Sequence, residues 1–173
     1  MPNLRTSLLV LCILVSASHA QEPAVKAPSQ AAKPPHATRI VLSLGSGMCY
    51  GYCNIELEVD PGEAILHVRS RESDKKKCPD LKVTASLSNK HWTELAQSID
   101  HGAVFKLPDS VGCPGCVDQV IEGIEIRFSD RTTKDVEFNE GSAPTELTDL
   151  SARLVALHEK LSKELPPTTR CSF

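Results

Sequence analysis

The sequence predicts an α+β domain: an antiparallel sheet with two helices packed on one face, a two-layer sandwich. Three observations point there. Residues 54–59, 64–68 and 81–87 alternate apolar and polar side chains with the period of a half-buried strand. Residues 89–99 and 147–161 instead repeat apolar side chains at helical spacing. The order of these segments, strands, helix, hairpin, helix, separates helices from an antiparallel sheet rather than interleaving them with parallel strands.

The elements follow in order. Residues 1–20 read as a signal peptide: Arg5 supplies the positive end, residues 7–15 the short apolar run, and Ser18 and Ala20 the small residues before a cleavage site. The run is shorter than the ~20 apolar residues a membrane helix needs, so no transmembrane segment is expected after signal cleavage. Residues 21–38 are rich in Pro, Ala and Lys, lack apolar periodicity, and read as a disordered tether. A single domain is expected over residues 39–165, with 166–173 as a C-terminal tail.

Within that domain residues 39–44 form an apolar strand broken by Gly45-Ser46-Gly47. Asp60-Pro61-Gly62-Glu63 is a turn that folds residues 54–59 and 64–68 into a hairpin. Ser88 caps a helix over 89–99, whose apolar stripe of Trp92, Leu95, Ala96 and Ile99 makes Trp92 a core anchor. Residues 104–107 are a short apolar piece closed by Pro108. Residues 121–128, a turn at 129–132 and residues 133–138 make a second hairpin. Ser142 as cap and Pro144 in the first turn open the last helix, on which Leu147, Leu150, Leu154, Leu157 and Leu161 form one stripe. About two heptads are too few for a coiled coil, so the stripe belongs against a sheet.

With aromatic residues at 4%, the core must be built from Leu, Val and Ile. The net charge is −3, and the single basic run, Lys75-Lys76-Lys77, is far smaller than a nucleic-acid footprint. No nucleic-acid partner and no cofactor are expected.

The chemistry worth weighing is in the cysteines. Of seven, Cys12 lies in the apolar leader, which leaves Cys49, Cys53, Cys78, Cys113, Cys116 and Cys171. An even set in an exported chain points to disulfides. Pro114-Gly115 suits the centre of a type II turn, which brings Cys113 and Cys116 within bonding range. Cys49 and Cys53 would lie about 13 Å apart on a regular strand, at ~3.3 Å per residue. Gly51 permits a bulge or turn that closes this gap. A long bridge between the two pairs would contribute about 4 kcal/mol and a local ring about 2 kcal/mol. Energy favours the first and geometry permits both; local pairs are the expectation.

Two functional readings compete with stapling. Cys-Pro-Gly-Cys resembles the dithiol of thiol oxidoreductases, but there the first cysteine opens a helix, whereas residues 117–128 read as strand. Cys49, Cys53, Cys113 and Cys116 could also form a tetrahedral zinc site. Haem attachment is excluded because Val117, not histidine, follows Cys116. His67, His91, His101 and His158 are scattered, Gly45-Ser46-Gly47 is not a nucleophile elbow, and Asp100-His101 with Asp109-Ser110 makes no triad without geometry.

Residues 40–55, and more loosely the chain to Leu161, resemble a family of bacterial exported domains of unknown function. Its mark is a strand entering Cys-x-Gly-x-Cys-Pro-x-Tyr. Cys49, Gly51 and Cys53 match, while Asn54 stands where proline is usual and Glu56 where tyrosine is usual, as in a divergent member. Gly112 to Cys116, followed by Asp118, is similar to a subset of that family. The resemblance implies a cell-envelope protein whose first two cysteines pair with each other, and implies no activity. The expectation is therefore a periplasmic or secreted module that binds another envelope or extracellular protein. The alternative is a thiol–disulfide or zinc-binding protein built on Cys49, Cys53, Cys113 and Cys116.

Overall fold

The computed structural model describes residues 34–47, 49–72, 75–76, 78–116 and 118–166, which lie in one compact unit. The signal-peptide segment, most of the tether and the tail beyond Pro166, including Cys171, lie outside these residues. Seven strands form one sheet in the order β4-β3-β2-β1-β6-β7-β5. They are β1 (Ala37–Ser46), β2 (Tyr52–Asp60), β3 (Glu63–Ser70), β4 (Leu81–Ser86), β5 (Ser110–Val111), β6 (Val120–Phe128) and β7 (Thr133–Asn139). The helices are α1 (Asn89–Gln97), α2 (His101–Val104) and α3 (Thr148–Ser162), the last preceded by a 3-10 turn at Thr145–Leu147.

The alternating segments become strands because the pleat sends successive side chains to opposite faces. Leu42 on β1 faces Leu57 on β2 and Ile124 on β6, and the row continues to Leu66, Val83 and Val136. This face joins Leu95 of α1, Val104 of α2 and Leu147, Leu150, Leu154 and Leu161 around α3 in a single apolar core. The opposite face carries Arg39, Glu56, Glu58, His67, Arg69, Glu125 and Glu137 from alternate positions. There the Arg39 guanidinium forks onto Asp60 at 2.7 and 2.9 Å and reaches Glu58 at 3.2 Å.

The hairpin turn at Pro61-Gly62 closes with Asp60 opposite Glu63, and Gly62 takes a left-handed φ of 96°. Ser88 caps α1 as expected, its hydroxyl accepting the His91 amide at 3.3 Å. Trp92 packs half-buried against the core.

Several expectations need correcting. The sheet is mixed, not antiparallel throughout, because β5 runs parallel to β7. Two helices were expected, and α2 is an additional short one, capped by Asp100 accepting the Ala103 amide at 3.1 Å. β1 begins at Ala37, inside the stretch read as tether, and Ala37 is buried in the core. Ser142 is not the cap of the last helix. Pro144 instead opens the 3-10 turn, Leu147 precedes α3 without a side-chain cap, and the Ser142 amide donates to the Asn139 carbonyl at 2.9 Å. Among the described residues no helix is long and apolar enough to cross a membrane.

Candidate functional site

Both cysteine loops leave the sheet at the same end. Ser46, the last residue of β1, is paired with Val120, the first of β6. The Cys49–Cys53 loop therefore leaves one central strand beside the point where the chain returns from the Cys113–Cys116 loop into its neighbour.

The Cys49–Cys53 loop is closed by its backbone. Gly51 adopts a φ of 85°, which turns the chain, and the β2–β3 register then slips between Tyr52 and Asn54. Cys53 is the extra residue of that bulge. Tyr52 and Cys53 are consequently both buried, where a regular strand would bury only one of two successive residues. The bulge brings the Cα atoms of Cys49 and Cys53 to 5.6 Å, a disulfide-bonded separation.

Neighbouring groups suture the loop to the sheet. The Arg71 amide donates to the Gly51 carbonyl at 3.0 Å and its guanidinium donates to the Gly47 carbonyl at 2.7 Å. The Tyr52 hydroxyl donates to the Pro79 carbonyl at 2.9 Å, next to buried Cys78. Asp80 holds the far side of that β3–β4 loop, accepting the Ser70 amide at 2.9 Å and the Lys75 ammonium at 2.8 Å. These two donors, the lysine first, hold its carboxyl below the usual range. Against this anchoring, Tyr50 at the tip is 87% exposed.

The second loop is a tight turn of the expected kind. Gly115 has a φ of 78°, the Cys116 amide donates to the Cys113 carbonyl at 3.1 Å, and the Cα atoms of the pair are 5.5 Å apart in a second disulfide. Gly115 lies against the Ile121 side chain, where a β-carbon would stand 3.2 Å from Cδ1. Both cysteines are exposed. Beside the loops, the polar face of the sheet dips into a trough of about 310 Å³, with Ser43 and Gly45 among its lining residues. The Glu56–Arg69 pair forms part of its wall through two contacts of 3.1 and 3.2 Å.

The four cysteines considered as zinc ligands are thus placed in two bonded pairs, and the described residues contain no group of three or more metal-capable side chains. The second pair leads into strand β6 and not into a helix, so it lacks a helix N-terminus to lower a thiol pKa. Cys78 is disulfide-bonded as well.

The remaining candidates are scattered over structural roles. Asp100 caps α2, and Asp109 pairs with the Lys134 ammonium. His67 lies 3.7 Å from Glu58, His91 hydrogen-bonds Ser88, and His101 packs between the rings of Phe105 and Phe128. His158 shares a 3.1 Å hydrogen bond with Ser162, and burial pushes its imidazole pKa down.

Sequence reasoning missed Glu122, which is fully buried on β6, and Lys134, nearly buried on β7. Strand parity carried the signal for the first, since Glu122 shares a face with Ile124, Ile126 and Phe128.

No protein-family model, curated protein or solved structure matches the chain. Fold and site define the class by themselves: an α+β domain with a seven-stranded mixed sheet and two cysteine-closed loops at one end of its central strands.

Proposed function

We propose that the chain is an exported binding module of the cell envelope, periplasmic or secreted, that engages another envelope or extracellular protein through the Cys49–Cys53 loop. In this reading it is a divergent member of the bacterial exported family whose cysteine motif it resembles, its helices form one layer over one sheet face, and it performs no catalysis. One observation carries the proposal: Tyr50 is 87% exposed on a loop whose other described residues are bridged, hydrogen-bonded or buried. A large aromatic held out by a rigid loop contributes contact area at little entropic cost on binding, which is how interface hot spots are built. The leader-like N-terminus and the bonded cysteines support an oxidising destination.

The test is site-specific photocrosslinking in the native envelope, with the reactive residue at position 50 or at Arg131. Arg131 lies in the β6–β7 turn at the other end of the sheet. A discrete adduct from position 50 alone is expected. Tyr50→Ala should then weaken the identified complex by about thirtyfold, as loss of ~2 kcal/mol at a hot spot does, with Tm unchanged. Equal labelling from both positions, or unchanged affinity in Tyr50→Ala, overturns the proposal.

The exposure of Cys113 and Cys116 favours a second reading, thiol–disulfide exchange. It requires a reduction potential near those of thioredoxin-like proteins, about −270 to −120 mV, and a value below about −300 mV removes it.

A further inference from the structure

We infer that the cleft between α1 and α3 is a binding site for a small amphipathic anion, a medium-chain carboxylate in size and charge. It lies at the opposite end of β3 from the cysteine loops and does not depend on the role proposed for Tyr50. The cleft has a volume of about 290 Å³.

Its origin is visible in the register. Along β3 and β4 the core-facing pairs are Val68 with Leu81, Leu66 with Val83, and then Ala64 with Ala85. Side-chain volume drops at the alanine row, and Ala156 on α3 adds no bulk above it. Leu95 of α1 and Leu157 and Leu161 of α3 stand as apolar walls around the space that remains. At ~30 Å³ per water molecule the cleft would hold about ten waters against mostly hydrocarbon, an unfavourable hydration site. Small-molecule pockets start near ~300 Å³, so a short acyl chain or one ring fits and a whole lipid does not.

The rim selects the head group. Glu94 is matched by Lys90 at 3.8 Å and Arg153 by Asp149 at 2.8 Å. Lys160, also on the rim, is in no ion pair among the described residues. An ammonium at the mouth of an apolar cleft complements a ligand with a hydrocarbon body and one negative end, and opposes a cationic amphiphile.

Methyl-labelled protein titrated with octanoate, 1-octanol and octyltrimethylammonium below their aggregation thresholds tests this by NMR. Saturable shifts of the Leu95, Leu157 and Leu161 methyls with octanoate are expected, with 1-octanol binding about tenfold more weakly for lack of the charged contact. Lys160→Glu should weaken octanoate by at least the same factor and leave 1-octanol unchanged. Ala85→Leu, which fills the floor, should abolish both. Absence of saturable shifts overturns the proposal, as does octanol or the cation binding as tightly as octanoate. Ligand-free, concentration-dependent shifts of the same methyls would make the occupant a second copy of the chain and overturn it equally.

Discussion

The Ser151 hydroxyl on α3 donates to the Glu122 carboxyl on β6, and the glutamate is fully buried while the serine is 6% exposed. The other carboxyl oxygen accepts the Gly141 amide at 3.4 Å, a long contact. One helix and one strand are thus joined by a polar link inside an apolar layer.

Removing the donor leaves a buried acceptor without its partner, which costs about 1–3 kcal/mol. Ser151→Ala should lose that much in urea unfolding. Glu122→Gln keeps an oxygen to accept from Ser151, so it should lose less stability than Glu122→Ala in the same measurement. A Ser151→Ala variant as stable as the parent would show that the link contributes nothing.

The Cys49–Cys53 bridge closes a small ring, so the chain-entropy estimate of its contribution is about 2 kcal/mol. The Cys49→Ser/Cys53→Ser double variant should lose about that in denaturant unfolding. Amide exchange should rise around Gly51, whose carbonyl accepts the Arg71 amide. Faster exchange spread evenly over the sheet would mean that the bridge supports the whole fold and not the loop.

Asp135 on β7 sits directly opposite Glu125 on β6. Burial first, then Glu137 and Glu125, push its carboxyl above the usual value of 3.8. The folded state therefore holds this proton more tightly than the unfolded state, and stability falls as pH rises from that value through the raised one. Asp135→Asn should raise Tm at pH 7, with the gain disappearing below about pH 4, where both states are protonated. A gain that persists at low pH would place its cause elsewhere.

Cys78 is buried and disulfide-bonded, while the other four described cysteines form two pairs among themselves. Peptide mapping without reduction should therefore find Cys78 in a disulfide-linked peptide that is separate from both loop pairs. Quantitative alkylation of Cys78 in the unreduced, unfolded protein would sink this assignment.

Most strands were legible because alternation over six to nine residues, as in β4 and β6, is a strong periodic signal. β5 was not, because two residues carry no period and a parallel pairing leaves no local turn to read. α2 was hidden for a similar reason: four residues show no stripe, and only the Asp100 cap betrays it. At the last helix, Ser142 and Pro144 both carry start signals, and the backbone used the proline. The turn at Cys113–Cys116 was readable from Pro-Gly alone. The Cys49–Cys53 closure was one of two open solutions until the bulge at Cys53 appeared. The trough and the apolar cleft were illegible because each gathers residues from separate elements, and only the register reveals their adjacency.

The shortness of β5 bears on how copies of this chain could assemble. At that flank an incoming strand meets Ser110 and Val111 already paired to Glu137 and Phe138, and the Glu137 amide already donating to the Asp109 carbonyl. β5 itself offers two residues there, and the part of β7 before Glu137 has no strand partner on that side among the described residues. Among the described residues the six-residue β4 is the longer outer strand. Fibril growth by strand addition needs a donor flank and an acceptor flank on every subunit. Of the two flanks β4 is the longer continuous template, so strand addition between copies would start there, and the broken β5/β7 flank would be the weaker acceptor for any further neighbour.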